Sequence, residues 1–96
     1  MRYFLVLLTD TGATVEVPQG DHERFIEELI ARNLILLGGG FGEPAGDVVG
    51  AYVLATDSRG EALELAGKDP LVIAGARNCS VVEWELVGIN TGALKP

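Results

Sequence analysis

Residues 2–9, RYFLVLLT, are apolar at nearly every position and rich in β-formers, the pattern of a strand covered on both faces. Side chains alternate across a strand, so Arg2, Phe4, Val6 and Leu8 point one way while Tyr3, Leu5 and Leu7 point the other. DTGATVEVPQG follows as a turn-rich connection with a short extended piece at Thr14–Val17. The period then changes. In DHERFIEELIARN, Phe25, Ile26, Leu29 and Ile30 share one helical face, which predicts a helix from about Asp21 to Asn33. Gly20 or Asp21 caps it, and two acidic residues in its first turn suit the helix dipole.

LILLGGGF (34–41) reads as a second strand ending in glycines, EPAGD as a turn, and VVGAYVLATD (48–57) as a third strand, giving a hairpin. Ser58 and Glu61 have the spacing of a capping box and open a second helix, SRGEALELAG, which stops at Gly67. Asp69-Pro70, a cap followed by a first-position proline, restarts a helical turn to about Ala76. NCSVVEWELV (78–87) alternates as a fourth strand, and Trp84, on the face of Val82 and Leu86, is assigned to the core. GINTGALKP lacks periodicity.

The order is βαββαβ, an α+β chain on the ferredoxin-like plan, with one domain over 1–87 and a C-terminal tail over 88–96. Right-handed crossovers put both helices on the same face of an antiparallel sheet. The opposite face is apolar as well. Its simplest cover is a second copy packed sheet to sheet, which predicts a homodimer.

Composition narrows the function. A formal net charge of -7 with seven basic residues scattered along the chain does not supply a phosphate-binding surface, so neither nucleic acid nor an anionic membrane is an expected partner. One cysteine makes no internal disulfide, and the first apolar run stops at Thr9-Asp10 without a small-residue cleavage site. No apolar run approaches the roughly 20 residues that span a bilayer. The expected location is cytoplasmic.

His22 is the only histidine, and it falls on the apolar stripe of the first helix. It reads either as a first-turn residue bonded to a backbone carbonyl, or as an acid–base group paired with Asp69. Asp69 is also the expected helix cap, and the two roles are compatible: one oxygen accepts helix N–H groups while the other faces the imidazole. Gly38-Gly39-Gly40 precedes a hairpin and lacks GK[ST], so a phosphate loop is a poor reading; Gly39 and Gly40 leave space for a ligand beside His22. Phe41 and Tyr52, on the hairpin strands, are candidates to line that pocket, with Ser58 as a polar contact or simply a helix cap. Cys79 reads as a small core residue. One histidine and one cysteine do not build a closed zinc site, and no cofactor motif is present, so neither a metal nor a cofactor is expected.

HERFIEELIARNLILLGGGF, GAYVLATDSRGEALELAGKDPLVIAG and VVEWEL, in this order, resemble the YciI-like (YCII-related) family. The early helix histidine, the D-S-x-x-E-A helix start and the DP-x-x-x-AG segment carry the resemblance. It implies a dimeric α/β-barrel and a His–Asp active site at His22 and Asp69. It also implies kinship with enzymes that eliminate chloride from aromatic rings and, more widely, with muconolactone isomerases. Many members carry Gly-Pro where this chain has Gly39-Gly40. The expectation is a cofactor-free lyase- or isomerase-like enzyme for a small cyclic or carbonyl-containing substrate. The alternatives are a small-molecule binding module or a purely structural dimer.

Overall fold

The alternation in the first strand sets the architecture. In a computed structural model describing residues 1–94, β1 (Arg2–Asp10) lies inside a four-stranded antiparallel sheet of order β2-β3-β1-β4, formed with β2 (Ile35–Ala45), β3 (Val48–Thr56) and β4 (Arg77–Glu83). Phe4, Val6 and Leu8 turn to one face and are buried there with Tyr52, Leu54 and Val81. That face is covered by α1 (Asp21–Ala31), through Leu29, and by α2 (Arg59–Ala66), through Ala62 and Ala66, all in one cluster. A short α3 (Pro70–Ile73) leads into β4. The α+β sandwich of helices on one sheet face follows from β1 and α1 having apolar faces that neither element can bury alone.

The joints are local. Ser58 Oγ accepts the N–H of Glu61 at 3.1 Å while a Glu61 carboxylate oxygen accepts the N–H of Asp57 at 3.0 Å, so the start of α2 is tied from both sides. α1 ends at Ala31, earlier than the sequence suggests, because Asn33 takes a left-handed conformation (φ 59°) and its N–H and that of Leu34 turn back to Ile30 and Leu29. Residues 14–17 form no strand, and β4 ends at Glu83 with one further ladder bond from the Trp84 N–H to the Tyr3 carbonyl. A 3₁₀ turn spans Thr91–Ala93; the tail expected over 88–96 runs on through Lys95 and Pro96, which lie outside the described residues.

Two irregularities shape the sheet. Ile35 pairs with Leu54 and Leu37 with Val53, so Leu36 is an extra residue on β2. The bulge brings Gly38 opposite Tyr52 and Gly40 opposite Gly50 on the helix side. The other side of the sheet, with Leu5, Leu7, Leu37 and Val82, has no helix over it. Trp84 is 47% exposed there and is not in the core. It alternates with Val82 as the sequence predicts, but Val82 lies opposite Leu5, on the uncovered face.

Candidate functional site

Two helix starts meet on the covered face. Gly20 caps α1 in a left-handed conformation (φ 87°), which lets the chain enter the helix sharply and places His22 in its first turn. Asp69 caps α3, with Pro70 at the first helical position, and its Oδ1 accepts the Leu71 N–H at 2.9 Å. His22 Nδ1 lies 3.0 Å from Asp69 Oδ1 and 2.8 Å from Oδ2, facing both oxygens. The Asp69 side chain is fully buried (0% exposed), while that of His22 is 26% exposed.

This asymmetry has chemical content. An ionised carboxylate only accepts hydrogen bonds, so opposite an ionised Asp69 it is the Nδ1–H tautomer of the imidazole that makes this contact. The neutral ring then keeps its lone pair on Nε2. Oδ2 has no directional hydrogen-bond partner despite the short separation from Nδ1, and neither does the Tyr52 hydroxyl, which is also buried. Burial pushes the Tyr52 phenol well up, with the charges of Asp69 and Cys79 adding to it. The Cys79 thiol is raised as well, first by burial and then by Asp69, so it is a poor nucleophile.

His22 lines an open cleft of about 480 Å³. One wall is α1, with His22, Glu23 and Ile26; the floor is the glycine stretch Gly38–Gly40 of β2 and residues 49–52 of β3. Leu8, Leu71 and Arg77 complete it. The glycines are not equivalent. A Cβ on Gly38 would stand 2.4 Å from that of Tyr52, so packing demands glycine there; one on Gly40 would meet nothing closer than 3.8 Å, and one on Gly39 nothing within 4 Å. The room over Gly40 is open space in the cleft, whereas Gly39, opposite Ala51, contributes only backbone to the floor and would carry a side chain on the other face of the sheet.

The structure thus brings His22, Asp69, Gly39, Gly40 and Tyr52 to one region. It leaves out two residues that the sequence suggested. Phe41 is exposed and off the cleft wall, because the hairpin leaves its regular ladder after Gly40. Ser58 is occupied as the α2 cap and does not line the cleft. Gly38, Leu71 and Arg77 were missed. Leu71 follows Asp69 by two and Gly38 heads the glycine run, so both were within reach; Arg77, at the start of β4, carried no local signal. Another hollow of about 220 Å³, near Arg32 and Lys68, holds no histidine.

The chain is 33% identical over 86 residues to the uncharacterized protein YjpA of Bacillus subtilis (strain 168), an alignment covering 90% of this chain and 98% of that one. The chain belongs to the YjpA family. No protein-family model matches it. Among solved structures, 5-chloro-2-hydroxyhydroquinone dehydrochlorinase (TftG) of Burkholderia phenoliruptrix AC1100, in complex with 2,5-dihydroxybenzoquinone, has a similar fold. The TM-score is 0.61 at 21% identity, covering 86% of this chain and 93% of that one. Among the described residues no helix is long and apolar enough to cross a membrane.

Proposed function

We propose that this chain is a small cytoplasmic enzyme of the YciI-like type, lyase- or isomerase-like, working as a homodimer on a compact cyclic or carbonyl-containing substrate. The observation that carries the reading is the contact of His22 Nδ1 with the fully buried Asp69 carboxylate at the edge of a glycine-floored cleft. Asp69 fixes the ring and stabilises its charged form; Nε2 takes a proton from substrate, and in an elimination the leaving group departs with the electrons of its bond. A placed general base of this kind contributes roughly 10²–10⁴-fold in rate. That suits removal of an already acidic proton and does not suit amide hydrolysis. The dehydrochlorinase of similar fold, with a small quinone bound, supports the substrate size and the reaction class. The uncovered apolar sheet face supports the dimer.

The test is a panel of small chlorinated hydroquinones and cyclic ketones, read by chloride release and by exchange of substrate C–H in deuterium oxide. Wild type turns over at least one compound, and His22→Ala loses about 10²-fold or more with its oligomeric state unchanged. Turnover retained by His22→Ala overturns the assignment. One observation favours a second reading: Asp69 is already explained as the cap of α3. If compounds bind the cleft and are returned unaltered, the chain is a binding module.

A further inference from the structure

Apart from His22, the cleft wall carries one basic side chain among the described residues, that of Arg77. It stands on the helix side of β4, in register with Asp10 of β1, and its side chain is only 29% exposed. Nη1 donates to the Ala76 carbonyl at 2.9 Å and lies 3.4 Å from Asp10 Oδ1. These contacts hold the guanidinium in place without consuming it. An arginine has five N–H donors in a planar fork, and those on Nε and Nη2 make no hydrogen bond with the described residues. The Asp10 contact is long and its carboxylate is half exposed, so it is a weak counter-ion. The opposing charge on the cleft is Glu23, exposed on α1; the floor between them is glycine backbone and the walls are Leu8, Ile26, Val49 and Leu71.

We propose that the cleft binds small anions, a carboxylate or enolate-type oxyanion on a compact apolar body, with Arg77 as the anchor that receives the charged oxygen. The planar fork is suited to two oxygens of one carboxylate, the leucine, isoleucine and valine side chains to the apolar body, and the open space over Gly40 to a flat ring. Glu23 at the rim repels negative charge, which favours a monoanion over a dianion. The inference rests on the cleft being the working site, and it deepens that reading by naming the charge of the substrate.

Benzoate and its neutral isostere benzamide are the probes, titrated into isotopically labelled full-length protein by NMR. The readouts are the His22 ring signals and the Arg77 Nε–H signal. Benzoate binds wild type at least about tenfold tighter than benzamide, and Arg77→Gln removes about tenfold or more of the benzoate affinity while weakening benzamide several-fold less. Glu23→Gln strengthens benzoate, and Gly40→Leu, which has room for its first atoms, weakens both probes by filling the cleft. Equal affinity for the two probes, no binding of benzoate, or an Arg77→Gln variant that binds it as wild type does overturns the anchor. His22→Ala separates the two readings: it keeps the Arg77-dependent binding whether or not turnover depends on His22.

Discussion

The two faces of one sheet are built from the same strands and have opposite fates. On the helix side of β1, Phe4, Val6 and Leu8 are buried beneath α1 and α2; on the other side Tyr3, Leu5 and Leu7, just as apolar, are only partly covered. Leu37, Val82 and Trp84 on neighbouring positions of that side are about half exposed. The strand composition therefore reports how much surface wants cover, and the helices report how much this chain can cover by itself. What is left over, on a domain of this size, is an exposed apolar face, the observation behind the proposed homodimer.

The contrast can be broken most forcefully from the covered side. Leu54→Ala, at a fully buried position, is expected to cost about 2–5 kcal/mol, and Leu37→Ala less than about 1 kcal/mol in a lone chain, both read from urea unfolding. Equal costs would mean that the uncovered face is as well packed as the core. Next comes a charge on the uncovered side. Val82→Glu should leave the fold intact and shift self-association by about a hundredfold or more in sedimentation, because an unpaired carboxylate in a dry interface costs several kcal/mol. A wild-type chain that sediments as a monomer at all concentrations would remove the homodimer from the proposal.

Within the covered side, glycines sharpen the comparison further. Gly38→Ala forces a Cβ into Tyr52 and is expected to destabilise by about 1–3 kcal/mol, whereas Gly40→Ala stays within about 0.5 kcal/mol. The smallest effect lies at the sheet rim, where both Glu83 carboxylate oxygens meet Arg2 at 2.8 and 2.6 Å. This hydrogen bonding holds the Glu83 carboxyl below its ordinary value of 4.5. A lowered folded-state value means stability that is complete above pH 4.5 and lost as the pH falls through the lowered value. Arg2→Ala should therefore differ slightly from wild type in denaturation near neutral pH and converge with it in acid; a difference that persists in acid would point to lost packing over Phe4.

Much of this was legible in the residues because each signal was local. Alternation in RYFLVLLT, the Ser58–Glu61 spacing and Asp69-Pro70 each name their structure through one or two neighbouring bonds. The approach of His22 to Asp69, 47 positions apart, was reachable because both stand at helix starts on the same face of a recognisable plan. What stayed hidden depends on register. LILL offers four apolar residues in a row, with nothing to show that Leu36 is the one left unpaired. Without that bulge Gly38 would not face Tyr52. Arg77 reaches the cleft through its pairing with Asp10, a relation between distant strands that no spacing in the chain displays. Trp84 lies outside the core for a related reason: alternation in β4 shows which residues share a face, but not which face the helices cover.

Trp84 also gives the molecule an optical gauge. It is the single tryptophan, and it stands half exposed on the sheet face opposite the cleft. Its emission can therefore follow that face without interference from another indole. Diluting the protein should shift the emission to longer wavelength and open it to quenching by iodide if a second copy covers the ring at high concentration. A ligand that enters the cleft changes neither, unless occupancy of one face is transmitted through a single layer of strands to the other.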